Sequence, residues 1–181
     1  MAFAPETLVQ APEYTTAGAE QGNSMQAVGA LDNAEWNVFQ VAVEQAPDAI
    51  IFADRSGAIR IWNRAAETVF GYAAAEVLGG SLDVIIPERL RSAHWDGFHR
   101  ALDSGQTRLG ATALTTRSVH KNGSRLYVEL SFGLIRNEDG AIVGALAVGR
   151  DCTARYLAER ALRARVAQLE EHAKAGRNEK L

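Results

Sequence analysis

Three strand-length apolar runs, Leu109 to Val119, Ser124 to Ile135 and Ala141 to Arg150, follow one another with only short turns between them. A parallel pair of strands needs a crossover of a dozen or more residues, and Lys121-Asn122-Gly123 and Asn137-Glu138-Asp139-Gly140 are too short for one. The runs therefore pair antiparallel, as a meander. A chain with this feature is held to folds built on a sheet whose later strands are neighbours both in sequence and in space.

Upstream the hydrophobic period changes twice. From Trp36 the apolar positions Val38, Phe39, Val41, Ala42 and Val43 crowd successive turns of a short helix that Pro47 stops. Ala49 to Ala53 and Ala58 to Trp62 flank the turn Asp54-Arg55-Ser56-Gly57, the pattern of a hairpin. Two short helical stretches follow, Asn63 to Phe70 and Ala73 to Val77, broken at Gly71 and closed by Gly79-Gly80. Pro87 suits a first helical turn, and Glu88 to Leu102 places Leu90, His94, Phe98 and Ala101 on one stripe before Gly105. Hairpin, short helices and meander together predict an α+β domain: a five-stranded antiparallel sheet with short helices on one face. Beyond Thr153 the residues Leu162, Val166, Leu169 and Ala173 repeat at coiled-coil spacing for about two heptads, which predicts a C-terminal amphipathic helix and a homodimer. The expected organisation is a flexible leader over 1–33, a folded domain over 34–153, and the C-terminal coiled-coil helix with its tail over 154–181.

Composition narrows the function classes. The 181 residues carry a net charge of −3 and one cysteine, so Cys152 has no partner for a disulfide and none for a thiolate zinc cluster. Residues 1–54 hold eight acidic residues and no Lys or Arg, unlike a secretory signal. The remaining chain holds all 19 basic residues against 14 acidic ones, too dispersed for a nucleic-acid surface. The near-continuous apolar run Gly140 to Gly149 is about half of the ~20 residues that span a bilayer. These features predict a cytoplasmic chain with neither a membrane nor a nucleic-acid partner. No nucleophile–base pair, phosphate loop or paired carboxylate stands out, so an enzyme is not expected.

His94 is the candidate that carries chemistry. Between Leu90 and Phe98 its imidazole points into the domain, where an unsatisfied nitrogen costs ~1–3 kcal/mol. It therefore needs either a backbone carbonyl or a metal such as haem iron, which suits a neutral imidazole. His99 and His172 fall off the apolar stripes and His120 stands at a strand end beside Lys121, so all three read as solvated. Trp95 reads as a packing or interface residue, and Arg100 as a surface residue near a helix end.

Several segments carry a resemblance to a known family. Ala46-Pro47-Asp48-Ala49-Ile50, Asn63-Arg64-Ala65-Ala66-Glu67 with Phe70-Gly71-Tyr72, Glu76-Val77-Leu78-Gly79, His120-Lys121-Asn122-Gly123 and Gly149-Arg150-Asp151-Cys152-Thr153 resemble the landmarks of a PAS domain, in order, over about residues 36–153. Within it, Ile86-Pro87-Glu88-Arg89-Leu90-Arg91-Ser92-Ala93-His94 is similar to the haem-binding PAS sensor domain of the FixL oxygen sensors. That resemblance implies b-type haem with His94 as the iron ligand and Arg100 near the propionates. It also implies Leu109, Leu130 and Phe132 over the face that binds a diatomic gas (CO, NO or O2), and a signal passed through Asp151-Cys152-Thr153 to the last helix and a downstream partner. Leu114 stands where FixL has the arginine that reaches bound oxygen, so that face is expected to lack a side-chain donor and to favour carbon monoxide. Cys152 lies after the last strand, away from the middle-helix pattern of photoactive flavin domains, which excludes a photochemical adduct. Noncovalent flavin or a small metabolite, and a cofactor-free dimerisation module, are the alternatives.

Overall fold

A computed structural model describes residues 33–107 and 112–178, with side chains over 37–107 and 112–172. The expected leader over 1–33 and the candidate Leu109 lie almost wholly outside the described residues. Helix α1 (Asn33–Glu44) ends before Pro47, and β1 (Ala49–Asp54) turns back as β2 (Ile59–Trp62). Asp54 builds that turn: its Oδ1 accepts the amides of Ser56 (2.9 Å) and Ala58 (3.1 Å), and its Oδ2 accepts Arg60 Nε (2.7 Å). Gly57 sits there at φ 82°, a conformation that glycine adopts without strain.

Asn63 then caps α2 (Arg64–Phe70), with its Oδ1 accepting the Ala66 amide at 3.0 Å. α3 (Ala74–Val77) follows, then a 3-10 turn (Leu82–Val84), a second one (Glu88–Leu90) and α4 (Arg91–Ser104). The single helix expected from Glu88 is thus split. Pro87 has an extended ψ of 131° and Leu90 a ψ of −7°, so the chain tightens for one turn before α-helical pairing begins.

The meander is β3 (Leu114–Val119), β4 (Arg125–Arg136) and β5 (Ile142–Asp151), followed by α5 (Thr153–Asn178). β3 begins later than the apolar run, because Thr112 and Ala113 stand outside the strand. The five strands are ordered β2-β1-β5-β4-β3, all neighbours antiparallel. The first hairpin therefore docks beside the last strand, with Ile51 opposite Ala147 and Ala53 opposite Ala145. One sheet face joins Ile51, Val128 and Leu130 to Phe70, Val77, Phe98 and Leu102 of the helices as a single core. On the opposite face Tyr127 is buried under Tyr156 of α5, rings stacked with centroids 4.0 Å apart. No helix among the described residues is long and apolar enough to cross a membrane.

Candidate cofactor cavity

A sheet lined with leucines would pack directly against α4. Here the middle of the inner face is trimmed to Ala53, Ala145 and Ala147, and α4 answers with Ala93, Gly97 and Ala101, so the two layers leave a cavity of about 570 Å³ between them. That volume suits a cofactor-sized ligand. Leu114, Leu130 and Phe132 form the sheet-side wall, and His94 is on the helix-side wall.

The register of β3 fixes Leu114. It pairs with Leu130, whose side chain is in the core, so both point inward on the same pleat. His94 stands on the α4 face with Leu90 and Phe98, its ring 6.2 Å from that of Phe98 in a stacked arrangement and edge-on to Trp95 at 5.1 Å. Its Nδ1 is buried and has no hydrogen-bond partner among the described residues. Burial pushes the imidazole below its ordinary value, against the weaker opposing pull of the Asp83 carboxylate. That carboxylate is itself held by Trp95 Nε1 at 2.9 Å, and the Trp95 ring covers Gly57, where a Cβ would sit 2.3 Å from the indole. Trp95 is thus a packing residue, in line with the sequence reading.

The remaining candidates divide. Arg100 is exposed and is not among the residues lining the cavity, and Leu109 is outside the described residues. His99 and His172 are exposed. His120 departs from the solvated reading: it is half-buried, its Nδ1 accepts the Asn122 amide at 3.1 Å, and its ring lies over Gly71. Cys152 is buried outside the cavity lining, with its thiol donating to the Tyr127 carbonyl at 3.2 Å. The described residues contain no cluster of His, Cys, Asp and Glu able to hold a free metal ion.

One expectation is corrected. The sheet side of the cavity is not free of donors, because Thr112, Thr116 and Ser118 line it. Thr116 Oγ1 is engaged with the Val128 carbonyl at 3.2 Å, whereas Ser118 is buried with no side-chain hydrogen bond among the described residues. The period-2 alternation that turns Leu114 inward turns Thr116 and Ser118 inward as well.

A family model described as the PAS fold matches residues 38–152. The oxygen sensor protein DosP of Escherichia coli (strain K12) is 27% identical over 107 residues, covering 59% of this chain and 13% of that protein. The sensor protein FixL of Bradyrhizobium diazoefficiens is 27% identical over 108 residues, covering 60% of this chain and 21% of that protein. The chain thus spans a small part of the length of both curated relatives. Among solved structures, the PAS domain of a protein from Colwellia psychrerythraea aligns with a TM-score of 0.57 at 25% identity, covering 66% of this chain and 98% of that one. An RNA-binding light-oxygen-voltage receptor aligns with a TM-score of 0.60 at 25% identity, covering 86% of this chain and 43% of that one.

Proposed function

The chain belongs to the PAS family, and we propose that it is a sensor whose cavity takes b-type haem through His94 and answers a diatomic gas. The observation that carries this reading is the buried, partnerless Nδ1 of His94 on the wall of a largely apolar cavity of about 570 Å³. An imidazole left this way costs about 1–3 kcal/mol, which a ligand bonded at Nδ1 offsets. Burial also favours the neutral ring, the form that binds iron. When bound, the haem iron supplies a coordination position for CO, NO or O2. Leu114, Leu130 and Phe132 exclude water from that side, and the proposal keeps Arg100 as a contact for the propionates and Leu109 as a member of the gas-binding face. The names of the relatives, an oxygen sensor and a sensor, support the reading.

The relay runs through the chain's own bonds. Leu130 lines the cavity on β4, and three residues earlier Tyr127 holds the start of α5. The Tyr127 carbonyl accepts Cys152 N at 2.8 Å, and its amide donates to Thr153 Oγ1 at 2.9 Å. Arg155 of α5 pairs with Glu129 of β4 at 2.8 Å. A ligand that shifts β4 therefore shifts the root of α5, as a change in the population of two arrangements. In this proposal residues 34–153 sense and residues 154–181 relay, as a cytoplasmic homodimer without catalysis that acts on a downstream partner.

Similarity to the light-oxygen-voltage receptor favours a second reading, noncovalent flavin in the same cavity. The absorption spectrum of the purified chain decides. A Soret band that is lost in His94→Ala, with the fold retained, supports haem. A flavin spectrum supports the second reading, and neither band marks a cofactor-free module. A full Soret band in His94→Ala would overturn the assignment of His94.

A further inference from the structure

Five residues of α4 face the cavity, Ala93, His94, Gly97, Phe98 and Ala101, with Leu90 of the preceding 3-10 turn beside them. At about 100° per residue they span one arc of the helix, and Gly97 lies inside that arc, flanked by Ala93 and Ala101. Glycine in the middle of a helix is unfavourable relative to alanine. Nothing in the fold requires it here: its φ is not positive, and a Cβ built on it would meet no atom within 4 Å. The glycine, itself exposed, therefore leaves the helix-side wall flat beside His94, with open space where a Cβ would stand.

The opposite wall supplies an independent observation. Ser118 on β3 is 6% exposed, lines the cavity, and makes no side-chain hydrogen bond among the described residues. The residue is buried, yet its hydroxyl is accessible from the cavity, so a bound molecule can reach it. Thr116, its neighbour on the same face, already spends its hydroxyl on the Val128 carbonyl. Ser118 thus offers a donor into the cavity.

We propose that Gly97 and Ser118 select the ligand: the cavity takes a planar, largely apolar ring system lying flat against α4, with a hydrogen-bond acceptor on that molecule receiving the Ser118 hydroxyl. This rests on the reading of the cavity as the cofactor site and does not depend on iron. A rounded aliphatic ligand would leave the flat wall unfilled, and a ligand without an acceptor would leave Ser118 unsatisfied.

The test uses the full chain stripped of cofactor, with two probes titrated separately by quenching of tryptophan fluorescence: haemin and flavin mononucleotide. Gly97→Ala should raise the thermal midpoint of the empty chain by about 2–4 °C, because alanine is the better helix former and its methyl enters open space. It should nevertheless weaken the bound probe about tenfold, and Gly97→Leu about a hundredfold or more. Ser118→Ala should leave the midpoint of the empty chain unchanged or higher and weaken the probe about three- to tenfold. Opposite signs in the empty and loaded chain mark a ligand contact, whereas a structural role lowers the midpoint of the empty chain. Parent-like affinity in a variant, or a lower midpoint without probe, overturns the role of that residue. If the parent binds flavin and not haemin and the variants weaken flavin, the proposal stands and the haem reading falls. If the parent binds haemin and all variants match it, the haem reading stands and the proposal falls. Binding of neither probe overturns both.

Discussion

Asn63→Ala is expected to destabilise the domain by about 3 kcal/mol without touching the cavity. The side chain is fully buried and makes four hydrogen bonds. Its Oδ1 accepts the amides of Ile50 (2.8 Å) and Ala66 (3.0 Å), and its Nδ2 donates to the carbonyls of Val43 and Asp48, both at 3.0 Å. One amide thus joins the end of α1, the start of β1 and the N-terminus of α2. Loss of the helix cap costs about 1 kcal/mol. Val43 and Asp48 are half-buried, so water can replace part of what their carbonyls lose. The Ile50 amide and the remaining desolvation bring about 1–3 kcal/mol more. Asn63→Ser, which keeps only the capping oxygen, should recover about 1 kcal/mol of the loss. Urea unfolding followed by circular dichroism measures both, with the slope expected to match the parent. An Asn63→Ala midpoint within 1 kcal/mol of the parent at unchanged slope would refute the reasoning, since the four bonds would then be worth no more than water.

Four further outcomes follow from the structure. His94 is held below its ordinary value by burial, so the unfolded chain binds the proton more readily; stability of the cofactor-free chain should fall as pH drops through about 6.5, and His94→Leu should flatten that slope in urea melts at pH 5 and pH 7. Asp54, held at about 2 by Ser56 and Arg60, adds its own loss only as pH falls below its ordinary 3.8 and on toward 2, outside that window. Thr153→Val removes the hydroxyl that accepts the Tyr127 amide and should cost about 1 kcal/mol, read as faster hydrogen exchange at the root of α5 with the β1–β5 pairing unchanged. Leu157, Leu162, Val166 and Leu169 of α5 are 46–66% exposed, so truncation after Thr153 should weaken a homodimer in sedimentation while the sheet persists; an intact chain that stays monomeric at micromolar concentration would count against the dimer.

What could be read from the sequence was local. The turn Asp54–Gly57 is set by an aspartate that bonds the amides beyond it and by a glycine free to take a positive φ, both properties of the residues themselves. The meander follows from turns too short for anything but antiparallel pairing, and the inward aim of His94 follows from helical spacing with Leu90 and Phe98. The PAS landmarks carried the same reading further, because each marks a turn, a cap or a strand end. What the tertiary structure decided depends on residues far apart in the chain. That β5 pairs with β1 is a matter of which edge the first hairpin finds. The cavity exists because Ala53, Ala145 and Ala147 meet Ala93, Gly97 and Ala101 across a gap. No single segment records that a volume is missing, since packing is a property of facing surfaces. Ser118 is distinguished from Thr116 for the same reason: both are small hydroxyl residues on one strand face, and only the fold shows which has a carbonyl within reach.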